Sequence, residues 1–433
     1  MITAELQRDW AAELLSSAGN PATPWLGSLR EQAGQLIPKL PPVNRKQEAW
    51  RYTNVEPLLK QSFQPVVKRP DSYTRELSPG IAGAHRLVFV DGWFMPGLSH
   101  LEALPEGVRV GSLAEAIAED DPGVRNTLGR IATPDQNLFT ALNTALINDG
   151  LYLHVPPDTE LDRPLEVFHL NSGARQHLLA QPRNLLVLEK GAKAVLVEHF
   201  LPGSGRGYFH NGLTEILLGD GSQFDHYRIQ DEAEDAWHLS DLTLDQEANS
   251  RYHGVTLAFG GRLSRTQYTD LFAAEGAGCT LRGLYTVGDG QLQDFHLDVR
   301  HNVPGCASRE QFKGLLHGKG RAVFDGRILV EKEAQKSDAE LTNHNLLLTR
   351  SSEVDTKPQL EIYADDVKAS HGTTVGQLDD RQVFYLRTRG IEKSKAVHML
   401  CEGFAAEIIE EIPLDDLRAL ALGRLQGTLN DIG

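Results

Sequence analysis

The sequence predicts a mainly β protein whose centre is a β-helix, a solenoid of stacked coils of strands. From Leu151 onward, short apolar runs alternate with glycine-centred turns, and residues 295–299 alternate strictly between apolar and polar, as half-buried strands do. The turns recur at near-constant intervals of 30, 27 and 28 residues between Gly191, Gly221, Ala248 and Gly276, with Gly290 and Gly320 another 30 apart. One coil cannot bury its inner face alone, so this period indicates stacked coils that share a core. An antiparallel sandwich, whose strands recur about every 8–12 residues, is the alternative.

Residues 1–150 are predicted to form a mixed, largely helical region. One helix face near the start is formed by apolar residues that recur every fourth position: Leu6, Trp10 and Leu14. A second helix is predicted over residues 135–148, with Pro134 in its first turn and Asp149-Gly150 as its stop. Between these helices, residues 86–94 have the pattern of a short strand that runs into a turn.

Residues 151–383 are assigned to the β-helix core and residues 384–433 to a C-terminal helical region. Helical periodicity returns there in apolar residues four positions apart: Ala396, Leu400, Phe404 and Ile408. Pro413 ends this helix, and a second helix follows with acid in its first turn, as the helix dipole favours. Such a pair caps the end of a solenoid or docks a partner. The docking interpretation rests on apolar and acidic residues side by side: Phe404, Glu407, Ile408 and Glu411.

The composition excludes several classes of protein. The chain has 43 Lys and Arg against 59 Asp and Glu, a formal net charge of −16, so it lacks the broad basic face that nucleic acid or anionic membrane requires. It has no run of about 18 apolar residues and no signal-peptide pattern, so we expect a cytoplasmic protein that does not span a membrane. Its three cysteines form no CxxC pair, which excludes a disulfide framework and a four-thiolate metal site: Cys279, Cys306 and Cys401.

Sequence motifs for catalysis are few. Residues 203–207 are glycine-rich but lack the GK[ST] ending of a phosphate-binding loop, so no ATP site is expected. Neither a GxSxG nor an HExxH motif occurs. Imidazole is a common metal ligand, and a β-helix can bring several histidines of the second half to one face. These candidates are His296, His301, His317, His344, His371 and His398.

His371 differs from the other candidate histidines because it lies in a distinctive segment. This segment is residues 360–376, with the sequence LEIYADDVKASHGTTVG. The Ser-His-Gly sequence and the upstream Asp365-Asp366 are consistent with the turn chemistry of a last coil. The alternative is that the end of a rigid stack presents the imidazole of His371 to a metal or a partner. The residues alone favour neither interpretation.

This segment, continued by FYLRTRGI at residues 384–391, resembles the C-terminal core motif of the SufB/SufD family of iron–sulfur cluster assembly proteins. Gly403-Phe404 and the acidic helix after it fit the same family. WRYT at residues 50–53, preceded by Glu48, resembles its N-terminal motif, and FTALN at residues 139–143 resembles the entry into its central domain. The resemblance extends from about residue 44 to 410. The chain length, a diverged N-terminal region and the few cysteines favour the SufD branch over the SufB branch.

The resemblance implies a right-handed parallel β-helix flanked by helical regions, and a non-catalytic scaffold role. It implies pairing with a SufB-like protein through the β-helix, and binding of SufC, an ABC-type ATPase, by the C-terminal helices. A transient iron–sulfur cluster, or iron, would be shared with SufB at their interface, where the family's histidine position falls on His371. Many relatives have a cysteine where this chain has Ala369, so we expect the partner to supply the thiolate.

Two enzymatic hypotheses stay open at the level of sequence. A carbohydrate-active enzyme on a β-helix scaffold is the competing class, and a metal-dependent hydrolase that uses Asp365, Asp366 and His371 is a third hypothesis. An isolated chain could pair with itself as a homodimer through the surface meant for SufB. Whether a reduced flavin binds the assembled complex, and which molecule donates the iron, are likewise open.

Overall fold

A computed structural model describes residues 3–19, 23–73, 80–203 and 207–432, so residues 204–206 of the glycine-rich segment lie outside the described residues. Nine α-helices are described: α1 Ala4–Ser16, α2 Pro24–Leu36, α3 Glu56–Leu59, α4 Leu113–Ala118, α5 Pro122–Thr127, α6 Leu138–Ala145, α7 Asp380–Thr388, α8 Lys393–Ile409 and α9 Asp415–Ile432. In this part of the chain, no helix is long and apolar enough to cross a membrane.

The described strands are β1 Gln64–Pro65, β2 His85–Val90, β3 Trp93–Phe94, β4 Arg109–Ser112, β5 Leu151–Val155, β6 Leu165–Leu170, β7 Leu178–Ala180, β8 Arg183–Leu188, β9 Lys193–Leu201, β10 Phe209–Leu218, β11 Gln223–Gln230, β12 Trp237–Gln246, β13 Arg251–Ala258, β14 Leu263–Phe272, β15 Gly278–Val287, β16 Leu292–His301, β17 Ala307–Leu316, β18 Arg321–Val330, β19 Asp338–Leu347, β20 Glu353–Ile362 and β21 Lys368–Gln377. The predicted strand at residues 86–94 is confirmed as β2, a tight turn and β3.

The strands form a parallel β-solenoid of about eight turns, which confirms the predicted β-helix and excludes the sandwich. One sheet has the order β20-β18-β16-β14-β12-β10-β8-β5-β4, and the facing sheet the order β21-β19-β17-β15-β13-β11-β9-β6-β2-β3. Each coil therefore contributes one strand to each sheet. Antiparallel pairs occur only at the N-terminal end of the stack among the described strands, where β4 meets β5 and β3 meets β2.

The turns at one corner form a column along the stack, which explains the sequence period. The amide of Gly191 donates to the carbonyl of Asp220, and that of Gly221 to Ala248, both over 2.8 Å. Gly191 has a φ of +67°, and a Cβ there would lie 2.4 Å from a carboxylate oxygen of Asp158, so glycine is favoured at this turn. Gly290 lies at the other corner, between β15 and β16, so the period combines two columns of turns.

Alternate residues of each strand point into the solenoid and form its core. At its centre, the rings of Phe295 and Phe312 lie 5.1 Å apart and those of Phe312 and Phe324 lie 5.2 Å apart, all almost fully buried. Phe295 and Phe324 are register partners on neighbouring coils of one sheet, and Phe312 of the facing sheet contacts both, so the core continues from coil to coil.

The N-terminal region packs on the first coils. Helix α1 matches the prediction, whereas α6 begins at Leu138 instead of near Pro134. The reason is that the Asn137 side chain accepts hydrogen bonds from the amides of Phe139 and Thr140 and so caps the helix. The helix also ends at Ala145, before the predicted stop at Asp149-Gly150.

A buried ion pair joins this region to the solenoid. Arg183 of β8 and Glu215 of β10 are both fully buried and their side chains lie 2.5 Å apart. Glu215 also accepts hydrogen bonds from the amides of Gly129 and Ala132, which precede α6. One carboxylate therefore holds a solenoid strand and the N-terminal segment together.

The C-terminal helices lie on the outer face of the second sheet. Helices α8 and α9 match the predicted pair on either side of Pro413, and their apolar faces are buried together with residues of the solenoid. The helical region begins with α7 at Asp380, directly after the last strand.

Candidate functional site at the open end of the solenoid

The last coil, formed by β20 and β21, is covered on one side only. We call this uncovered side the open end, because among the described strands both sheets terminate there. In the parallel register, Ala369 of β21 lies beside Ala339 of β19, and His371 lies beside Leu341. Ala339 and Leu341 are buried in the core. His371 therefore occupies an inward-facing position, yet it is exposed because no further coil covers it.

The two sheets still face each other at this coil. The hydroxyl oxygens of Thr356 on β20 and Thr373 on β21 lie 3.1 Å apart. Large apolar side chains of this coil and of the turn after β20 are exposed: Ile362 by 39%, Tyr363 by 61% and Val375 by 49%. Exposed apolar side chains on an uncovered coil are typical of an interaction surface.

The two edge strands differ in how they meet solvent. β20 contains Pro358, which has no N–H to offer, and its outward charges are engaged: Glu361 pairs with Arg327 and Lys357 pairs with Glu48. β21 has one charged residue in ten, Lys368 at its start. Natural edge strands are normally protected by charge, proline or bulges. β21 lacks these protections along most of its length, so it can accept another strand.

His371 forms no hydrogen bond or ion pair with any residue that the structure describes. Its ring nitrogens are therefore available to a ligand. Ala369, two positions earlier on the same face, offers no ligand atom. All three cysteines are buried, as their positions in the sequence suggest, and none lies at the open end.

The remaining histidine candidates are dispersed. His296 lies on the outer face of the first sheet, 2.9 Å from Asp294, whereas His301 points inward, 3.0 Å from Ser308. His344 bonds the hydroxyl of Thr374. The structure does not bring these three histidines to one face, because alternate strand positions send them to opposite sides of the sheet.

The carboxylates of the hydrolase hypothesis do not converge on His371. Asp365 and Asp366 are exposed in the turn before β21, and Asp366 pairs with Lys336. Within the described residues, they form no three-ligand group with His371. The geometry gives no support to a metal-dependent hydrolase at this place.

Of the four predicted docking residues, three lie on α8 and Glu411 follows its end, and all four are on the side that meets the solenoid. Ile408 is fully buried, and Lys313 lies 4.6 Å from the ring centre of Phe404. Lys313 also pairs with Glu407 and lowers its pKa, chiefly through the hydrogen bond between them. Glu411 lies 2.8 Å from Arg282 of β15. Their role in docking a partner stays a prediction.

Several more apolar side chains of the C-terminal helices are exposed. Phe384 and Tyr385 on α7 are 68% and 57% exposed, and Met399 on α8 and Leu420 on α9 are 43% and 37% exposed. The sequence period pointed to the buried stripe of α8 and missed these residues, since a helix stripe shows which side chains share a face and not which face is free.

The tryptophan motif near the N-terminus has a structural role. Arg265 of β14 lies over the Trp50 ring at 4.1 Å, and it donates to the Ala49 carbonyl and to Asp294. Thr53 also bonds Asp294. Although burial favours the neutral acid, Arg265 holds the pKa of Asp294 well below its usual range. This motif anchors the N-terminal region to the solenoid.

Comparisons with known proteins agree over nearly the whole chain. Residues 16–167 match the family model of the SufBD protein N-terminal region, and residues 169–404 match that of the SUF system FeS cluster assembly SufBD core domain. The chain is 33% identical to iron–sulfur cluster assembly protein SufD of Escherichia coli, over 88% of each chain. It is 32% identical to a SufBD family protein of Synechocystis, slr0076, over 92% of this chain and 89% of that one. It is 27% identical to the chloroplastic protein ABCI7 of Arabidopsis thaliana, over 96% and 88%.

Proposed function

The chain belongs to the SufBD family of SUF-system iron–sulfur cluster assembly proteins and is a homologue of SufD, and on this premise we propose that it is a cytoplasmic, non-catalytic scaffold subunit. It pairs with a SufB-like protein through the open end of its solenoid and binds the SufC ATPase on its C-terminal helices. It thereby supports iron acquisition and cluster assembly at the paired surface. The observation that carries this proposal is the last coil, whose inward-facing residues, His371 among them, are uncovered.

Pairing through β21 is supported by the lack of protection along this edge strand. Its unpaired N–H and C=O groups can hydrogen-bond a strand of a second β-helix, in the manner of β-strand addition. The partner would also cover Tyr363 and Val375, whose burial contributes roughly 25 cal/mol per Å² of apolar surface. A second copy of this chain carries the same edge, so a homodimer is the expected product when SufB is absent.

At such an interface, His371 becomes a metal ligand. Imidazole replaces thiolate on cluster iron in known proteins, and the exposed ring of His371 has no competing partner among the described residues. Because Ala369 contributes no thiolate, and the three cysteines are buried elsewhere, the partner provides the sulfur ligands. The cluster is the cargo of this assembly reaction and is released from it.

The ATPase binds the exposed apolar side chains of the C-terminal helices. Phe384, Tyr385 and Met399 supply the contact area, while the buried Ile408 supports α8 from beneath. Phe404, Glu407 and Glu411 lie at the junction of helix and solenoid. Movement of α8 on ATP hydrolysis would therefore act on Lys313 of β17 and, through the sheet, on the β19–β21 edge.

Co-expression with the SufB-like protein and SufC of the same organism tests the pairing. An affinity tag on this chain should recover both partners. Val375→Lys places a charge on the open end and should abolish recovery of SufB, whereas the matched control Val67→Lys, also at an exposed valine, should not. Met399→Glu should lose SufC and retain SufB. Equal recovery of SufB with Val375→Lys and with the unchanged chain would refute pairing through this edge.

A further inference from the structure

Two histidines and a glutamate converge inside the first half of the solenoid, away from the open end. His210 of β10 and His238 of β12 are register partners, and their rings stack with centroids 4.8 Å apart, which is one strand spacing. Glu232 comes from the loop between β11 and β12. One ligand atom from each of the three side chains lies within 4.8 Å of the other two, and no other such group occurs among the described residues.

These side chains are buried, and the ring of His238 lacks hydrogen bonds that burial normally demands. His210 and Glu232 are each 6% exposed and His238 is fully buried. Nδ1 of His238 lies 2.7 Å from Oε2 of Glu232, whereas Nε2 of His238 has no hydrogen-bond partner among the described residues. A buried ring nitrogen without a hydrogen-bond partner destabilises the fold. A bound ion would remove this destabilisation.

A small cavity adjoins the cluster. Its volume is about 20 Å³, and its lining includes His169, Tyr208, His210 and Glu232. Such a space holds about one water molecule. The hydroxyl of Tyr208 is buried beside the carboxylate of Glu232. It can also contact a water bound in the cavity.

We propose that His210, Glu232 and His238 form a buried site for one divalent first-row transition ion, with a water from the cavity as a further ligand. Two imidazoles and one carboxylate suit zinc and ferrous iron, whereas calcium and magnesium prefer oxygen ligands. Gln230 donates to Oε2 of Glu232 over 3.0 Å and orients the carboxylate, as outer-shell residues do at metal sites. This proposal is independent of the proposed function and of His371.

Cobalt titration of the whole chain tests the site. Protein purified after unfolding and refolding in chelator should bind one equivalent of Co²⁺ and develop visible absorption bands. Zn²⁺ should displace Co²⁺, and X-ray absorption of the zinc form should show two imidazole ligands and no sulfur. The same titration with Fe²⁺ under anaerobic conditions compares the affinity of the site for ferrous iron with its affinity for zinc.

Substitutions locate the binding. Glu232→Gln and His210→Gln should each weaken Co²⁺ binding roughly tenfold or more. His199→Gln changes another buried histidine, bonded to Glu166, and His371→Ala changes the open end; both should bind Co²⁺ as the unchanged chain does. Absence of stoichiometric binding, a spectrum of sulfur ligation, or binding that only His371→Ala removes would overturn the proposal. Even where a variant fails to fold, the spectra of the unchanged chain show whether one ion is bound by imidazole ligands without sulfur.

Discussion

Glu310→Gln is expected to make the protein more resistant to alkaline conditions. Glu310 points into the solenoid from β17 and is 1% exposed. Burial, with a further contribution from the negative charge of Asp270, raises the pKa of Glu310 to about 8. The folded protein therefore holds this carboxyl in its neutral form at neutral pH.

The size of the effect follows from proton linkage. The unfolded chain releases this proton near the ordinary glutamate pKa of 4.5 and the folded chain near 8, so the folded state binds more protons between these values and loses stability as the pH rises. One pKa unit corresponds to about 1.36 kcal/mol, so the loss from this group between pH 4.5 and pH 8 is on the order of 4 kcal/mol. Glutamine has nearly the same shape as glutamate but cannot ionise. Glu310→Gln therefore removes the part of the pH dependence of the unfolding free energy that Glu310 causes.

Urea denaturation of both proteins at pH 5, 6.5 and 8 measures the effect. The difference in unfolding free energy between Glu310→Gln and the unchanged chain should move in favour of the variant by roughly 4 kcal/mol across this range. Glu275→Gln, at an exposed glutamate, is the matched control and should show a constant difference. Parallel pH dependences for Glu310→Gln and the unchanged chain would show that Glu310 is not held neutral by the fold.

Three further predictions concern the framework. Arg183→Met should lower the unfolding free energy by about 3–5 kcal/mol, because it leaves Glu215 buried and unpaired; the exposed control Arg350→Met should have no measurable effect in the same urea assay. Lys313→Met removes a bond to the Phe404 carbonyl and to Glu407, so amide hydrogen exchange should accelerate in residues 393–409 and not in β10. Burial raises the pKa of all three thiols, so a thiol reagent should find no fast-reacting cysteine in the folded chain and three after denaturation; one fast-reacting thiol would contradict the packing.

Much of the fold could be predicted because its causes are local and repetitive. The turn at Gly191 needs a positive φ, and it recurs at Gly221 since each coil must turn at the same corner. The start of α6 could not be placed from Pro134, because the decisive contact is the Asn137 cap and proline at a first turn is only a preference. Likewise, Gly290 has the same spacing as the first column of turns but belongs to the opposite corner.

The site was only partly accessible from the sequence. The motif around His371 identified the residue, but its inward-facing, uncovered position depends on the register with Leu341, which no local pattern reveals. The pair His210 and His238 gave no signal in any local motif because 28 residues separate them, and their contact depends on coil length and register together. That separation is nevertheless close to the coil period, so histidines one period apart are a signal that a sequence search could use.

The iron and acid-labile sulfide content of the co-purified complex tests the central claim most directly. Complexes prepared anaerobically from the unchanged chain, from His371→Ala and from the exposed-histidine control His100→Ala should contain the same partners in the same ratio. The account predicts that His371→Ala loses most of the partner-dependent iron and sulfide, while His100→Ala retains them. Equal iron and sulfide in all three complexes would contradict a role for the open end in holding the cluster.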